Sequence, residues 1–122
     1  ARVGDVIHKD QPVDFGQPSE LLEMPISWTL DDYPYFEFVR EKSGILPGLA
    51  AAKGVLENWL NDFSYMAATE DWGVLTYTFH PFVIGRGHRM IILEKLIKEL
   101  STKGAEFMTL DEAAREFIKR DE

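Results

Sequence analysis

The chain has 122 residues, 45% apolar and 28% charged, the mix of a soluble globular domain large enough to own a core. Its 13 basic and 21 acidic residues leave a net charge of −8, which argues against nucleic acid or an anionic membrane as the main partner. It has no cysteine, which excludes disulfides, thiolate metal sites and a cysteine nucleophile.

Residues 1–19 carry Gly4, Pro12, Gly16 and Pro18 with little periodicity. They read as a loop or extended arm that touches a core at Val3, Val6 and Ile7. No basic-then-apolar leader opens the chain. A long arm without its own element is unusual in a compact domain, so the chain is expected to begin inside a larger unit. In residues 22–28, Leu22, Met24, Ile26 and Trp28 alternate with other residues and predict a strand, with Pro25 at an edge or bulge. Residues 29–38 form an aromatic-rich turn containing Asp31 and Asp32. Adjacent carboxylates just after a strand are either a candidate site or ordinary turn and cap chemistry.

Residues 43–48 read as a turn. From Leu49 the spacing of Ala52, Val55, Leu56, Trp59, Leu60 and Phe63 predicts a helix. Residues 65–73 link it to residues 75–79, where Leu75, Tyr77 and Phe79 alternate with threonines as in a buried strand. Pro81 cannot continue a ladder and keeps His80 extended, so His80 ends this strand. Residues 82–89 follow as a loop. Residues 90–100 predict a helix with Met90, Leu93, Leu96, Ile97 and Leu100 inward, stopped at Gly104. Residues 105–108 read as a third strand. Thr109 and Glu112 then form a capping box for a last helix that turns Ala113, Ala114, Phe117 and Ile118 inward. No run approaches ~18 consecutive apolar residues, so no membrane-spanning helix is expected.

Strand and helix thus alternate three times. That order predicts an α/β fold with right-handed parallel crossovers. Three strands make a thin sheet, however, as in half of a larger α/β unit.

Of the three histidines, His8, His80 and His88, none forms a pair at metal-ligand spacing. No G-x-S-x-G elbow surrounds a serine. Gly85-Arg86-Gly87 before a helix is either an anion cradle, through backbone amides and Arg86 or Arg89, or a plain turn. What remains is His80 with Asp31 and Asp32, on adjacent strand ends if the strands are parallel. A carboxylate beside an imidazole favours its protonated form, which is that of a general acid.

Two stretches together resemble a known family. They are residues 25–34 (PISWTLDDYP) and residues 75–81 (LTYTFHP), the latter followed by residues 84–90 (IGRGHRM). They look like the C-terminal half of NodB-type polysaccharide deacetylases. The branch they resemble holds cytoplasmic-type peptidoglycan deacetylase homologues and cofactor-independent allantoinases. The resemblance covers nearly the whole chain. It implies a distorted (β/α) barrel in which parallel strands alternate with helices, and a cytoplasmic protein. It also implies metal-assisted hydrolysis of a non-peptide C–N bond, most simply N-deacetylation of a carbohydrate or peptidoglycan. The alternatives are a small-ureide amidohydrolase and a non-catalytic partner-binding domain.

On this resemblance His80 is the acid that protonates the leaving amine, and Asp31 or Asp32 supports it. Trp28, Tyr33, Tyr35 and Arg86 would bind substrate. A divalent metal, often zinc, would activate water. The family's paired aspartate and its histidine pair, which hold that metal, have no counterpart in this sequence. The resemblance therefore implies that residues 1–122 are the C-terminal half of the domain and contribute no metal ligand. The implied partners are the N-terminal half and the substrate, with a homo-oligomer left open.

Overall fold

The computed structural model describes residues 2–46 and 48–121. They fall into two compact units: Ala1–Pro25 with Leu110–Glu122, and Ile26–Thr109.

In the first unit the expected arm is instead a hairpin. Arg2–Val3 (β1) pairs antiparallel with Gln17–Pro18 (β2), and a bridge joins Val6 to Asp14. Gly16 permits the close approach: a Cβ there would lie 1.9 Å from the Val3 carbonyl oxygen. Its amide donates to Asp5 Oδ1 at 2.6 Å, and its carbonyl accepts from Arg2 Nε at 2.9 Å. His8 bonds Asp14 at 2.8 Å. Backbone and polar contacts make this hairpin, and its residues are largely exposed, so apolar alternation could not reveal it. The last helix, α5 (Leu110–Asp121), starts directly after Thr109, where a cap was expected. Ala113 is buried and Ala114 half-buried, but Phe117 and Ile118 stay 41% and 51% exposed, against expectation.

The second unit is built on two long helices, α2 (Ala52–Thr69) and α4 (Gly87–Thr102). Leu49 does not belong to α2: it has φ 54° and is 67% exposed. The helix also runs past the expected linker start. Ser64 Oγ and Thr69 Oγ1 donate to the carbonyls of Leu60 and Tyr65, so these hydroxyls bond within the helix. Val55 and Trp59 of α2 meet Ile92, Leu96 and Leu100 of α4 in one core, with Leu30, Phe36, Val83 and Ile84. The inward row of α4 is Arg89, Ile92, Leu96 and Leu100. Met90 and Ile97 lie off that row and are exposed, a correction to the predicted face. Gly104 at φ 87° follows α4, as expected of a stop.

The predicted three-strand sheet is not formed among the described residues. Residues 75–79 are half-buried, and they pair not with the predicted strand 22–28 but with the segment just after it, through a single parallel bridge, Asp31 to Thr78. Thr78 donates to the Leu30 carbonyl at 2.9 Å, and Asp32 donates to the Thr78 carbonyl at 3.1 Å. The two segments therefore run parallel, as predicted, where their carboxyl ends meet. Residues 22–27 and 105–108 make no ladder. Pro25 has no N–H to give, and a ladder needs a neighbouring strand that no other described segment supplies. Trp28–Leu30 instead closes a 3₁₀ turn capped by Ser27.

Residue 47 of the expected turn lies outside the described residues, and Gly44–Leu46 (β4) of that turn pairs antiparallel with Val39–Glu41 (β3) in an unforeseen hairpin. Gly44, at φ 152°, follows its two-residue turn. No described helix is long and apolar enough to cross a membrane.

Candidate active site

The parallel bridge brings two chain turns side by side. After Leu30 the chain enters α1 (Asp32–Phe36), and after Phe79 it enters α3 (Pro81–Ile84). Asp31 and His80 are the respective N-cap residues, both extended. Pro81 explains the second start, because proline suits the first helical position and ends the strand before it. The expected loop after His80 thus opens with a helical turn. In α1 the Asp31 carboxylate accepts the Tyr33 amide at 2.8 Å, an ordinary N-cap.

The adjacent carboxylates divide the work. Asp31 caps α1. Asp32 is fully buried and faces His80. His80 Nδ1 lies 2.7 Å from Asp32 Oδ1 and 3.8 Å from Asp31 Oδ1. The His80 backbone amide also donates to Asp32, at 3.2 Å to Oδ1 and 3.0 Å to Oδ2. The carboxylate accepts on both oxygens, so Nδ1 carries the proton and Nε2 is the atom left for chemistry. The hydrogen bond to Asp32 raises the His80 pKa above its ordinary 6.5, partial burial opposes this, and the charges of Asp32 and Asp31 add to it. The rings of Tyr33 and Phe82 flank the imidazole at 5.5 and 5.7 Å.

His80 and Asp31 open onto a cleft of about 330 Å³, lined also by Ile26, Ser27, Trp28, Tyr33 and Pro34. Trp28 is 80% exposed, an aromatic face free to stack on a ligand. One imidazole, one carboxylate and an aromatic wall can deliver a proton to a group held against the wall.

Asp31, Asp32 and His80 offer ligand atoms within 4.8 Å of one another. They do not fit a metal well. Both Asp32 oxygens are taken by His80, and Asp31 Oδ1 is taken by the Tyr33 amide. An ion bound here would displace the bonds that hold the cap and the imidazole.

A peptidoglycan deacetylase from Helicobacter pylori is 28% identical to this chain over 112 residues, 91% of this chain and 38% of that protein. A peptidoglycan deacetylase-like protein from Gibberella zeae is 26% identical, over 84% of this chain and 33% of its own length. A Mycobacterium smegmatis protein of known crystal structure, described as a polysaccharide deacetylase, superposes with a TM-score of 0.68 at 26% identity. That match covers 80% of this chain and 33% of the other. Over most of its length the chain is similar to proteins described as peptidoglycan or polysaccharide deacetylases. No protein-family model matches it. It spans about a third of the length of these relatives.

The deacetylase-like motifs of the sequence meet at this cleft, though not every residue in them does. Trp28 and Tyr33 line it with His80 and Asp31. Tyr35 does not. Residues two apart on a helix point in nearly opposite directions, about 200°, and Tyr35 packs edge-on against Trp59 at 6.2 Å. Arg86 is exposed at the start of α4 and is not among the lining residues. His88, in the first turn of α4, is exposed as well.

Sequence reasoning missed Phe82 and Pro34, and it read Arg89 as an alternative to Arg86 for holding an anion, whereas Arg89 is buried on the carbonyls of Val83 and Phe36 and on Glu37. Phe82 could have been found by its place two residues after His80. Arg89 could have been found as a charged residue continuing the apolar row of Ile92, Leu96 and Leu100.

Asp32→Asn should lower the His80 pKa, read by NMR titration of the imidazole. A group whose folded pKa is raised gives stability that is complete below its unfolded pKa of about 6.5. That stability fades as pH rises through the folded value. The native chain should therefore lose part of its urea resistance as pH rises from about 6.5 through the raised folded midpoint, and Asp32→Asn should lose less over that span. An unchanged His80 midpoint in Asp32→Asn would show that this pair does not set its protonation.

Proposed function

We propose that this chain supplies the general-acid side of a metal-dependent hydrolase that removes N-acetyl groups from a carbohydrate, with peptidoglycan the favoured substrate. The observation that carries the reading is the short Nδ1 bond from His80 to buried Asp32 at an aromatic-walled cleft. The names of the Helicobacter pylori and Gibberella zeae relatives support the substrate class.

Amide hydrolysis has a step that suits these residues. When the tetrahedral adduct collapses, the C–N bond breaks and the nitrogen must take up a proton to leave as an amine. Protonated His80 gives that proton from Nε2, while Asp32 holds Nδ1 and stabilises the imidazolium. Trp28 and Tyr33 press against the sugar ring and set its height over Nε2. A (β/α) barrel completed by sequence outside this chain would place the cleft at the carboxyl ends of its strands, where barrel chemistry is built. The divalent ion implied by the resemblance takes its ligands from that other sequence, because Asp31, Asp32 and His80 are engaged with one another.

The test is release of acetate by the complete protein from N-acetylated peptidoglycan fragments. Release is expected, with no turnover of allantoin. Turnover of allantoin instead would assign the site to a small-ureide amidohydrolase. Activity on neither would favour a partner-binding role.

A further inference from the structure

Arg89 is a buried cation that the proposed reaction does not use. It is 6% exposed. Its Nη1 donates to the Val83 carbonyl at 2.7 Å and to Glu37 Oε1 at 3.2 Å, and its Nη2 donates to the Phe36 carbonyl at 3.1 Å. The guanidinium carbon lies 4.8 Å from the centroid of the Phe36 ring. Among the described residues its Nε has no hydrogen-bond partner.

The two carbonyls are not arbitrary. Phe36 is the last residue of α1, and Val83 lies one residue before the end of α3. Helix ends leave carbonyls without intrahelical partners and carry partial negative charge, so a cation there satisfies both needs. One guanidinium therefore closes two short helices at once. The opposite ends of the same helices carry Asp31 and Asp32 on one side and His80 on the other. Helices of five and four residues do not hold their place unaided.

We propose that Arg89 is a positioning residue for the His80–Asp32 pair, holding α1 and α3 in register by binding the carbonyls at their far ends. The importance of that pair rests on the deacetylase reading, whereas the mechanical link does not. Packing alone gives no reason for a charge here. An apolar side chain of similar length often replaces a buried ion pair with equal or better stability. The planar fork is what the geometry uses, because it reaches two carbonyls in different directions. A lysine ammonium is a single point of charge and cannot match that fork. Loss of the bridge would let the two helices slide, and a bond of 2.7 Å between His80 Nδ1 and Asp32 weakens steeply with displacement.

The experiment is an NMR titration of His80 in the full chain, comparing the native protein with Arg89→Met and Arg89→Lys. The charged groups facing His80 are Asp31 and Asp32, with the Tyr33 and Phe82 rings on its flanks. The native midpoint should lie above 6.5. In Arg89→Met it should fall toward that value, with a smaller fall in Arg89→Lys. The sign is decisive. Removing a nearby positive charge by itself makes an imidazole easier to protonate and would raise the midpoint, so a fall reports a broken pair. A purely structural Arg89 would lower the melting temperature while folded molecules kept the native or a raised His80 midpoint, and that result overturns the proposal. If Arg89→Met does not fold, Arg89→Lys, which keeps the charge and the stem, carries the same test. Because the titration reads geometry and not turnover, it can succeed even if His80 proves not to be the general acid, and it can fail if it is.

Discussion

His80→Ala in the complete protein should lower kcat for deacetylation by about 10²–10⁴-fold, the usual contribution of a positioned general acid. The expectation rests on position and on chemistry. His80 caps α3 at the cleft, with Nδ1 held by Asp32. An amine cannot leave unprotonated at useful speed, and imidazole is the side chain whose pKa suits the transfer near neutrality. The raised pKa keeps the acid form populated to higher pH. The side chain is 35% exposed, so its removal opens no large cavity and the fold should survive by circular dichroism. His88→Ala is the control, since His88 is exposed on α4 and away from the cleft lining. Near-full turnover by His80→Ala would end the general-acid assignment. Loss of bound metal from His80→Ala would instead make His80 a ligand.

The largest loss of stability is expected from Trp59→Ala, about 3–5 kcal/mol in urea denaturation of the chain. Trp59 is fully buried. Its ring meets the edges or faces of Tyr35, Phe36, Tyr77 and Phe79 at 5.6–6.3 Å. Its Nε1–H donates to the Thr29 carbonyl at 3.0 Å, and its own carbonyl accepts from Tyr77 Oη at 2.8 Å. Burial, with a contribution from Asp62, pushes the Tyr77 phenol up to about 12, so it stays a donor throughout the useful pH range.

Truncation also removes the hydrogen bond to the carbonyl of exposed Thr29, a net contribution of about 0.5–1.5 kcal/mol. Native proteins have about 5–15 kcal/mol in total, so a large share of the margin would go. Trp59→Phe keeps most of the ring but not the N–H, and should fall between. A loss under about 1 kcal/mol for Trp59→Ala would mean that this core does not depend on its centre. Thr29 sits two residues before Asp31, so the same bond ties the core to the cap of α1.

Much of the second unit was legible because its signals are local. The row Val55 and Trp59 on α2 follows from helical spacing, and so does the stop at Gly104. His80 at the end of an extended segment follows from Pro81, whose ring forbids a continued ladder and favours a helix start. The pairing of His80 with a neighbouring aspartate could be anticipated from two motifs and parallel order.

Other features depended on contacts that no local pattern encodes. Residues 22–27 alternate like a strand, yet alternation only prepares a face, and a ladder needs a partner beside it. Met90 and Ile97 looked inward by hydrophobicity, while the observed row runs through Arg89, because its guanidinium found two carbonyls and a carboxylate in the core. The hairpin of β1 and β2 rests on Gly16 and polar bonds, and hydropathy does not record those. The sequence could place two aspartates near one histidine. Only the fold could assign Asp31 to the cap and Asp32 to the imidazole, since adjacent residues at a helix start point in different directions and just one of them can face the strand end alongside.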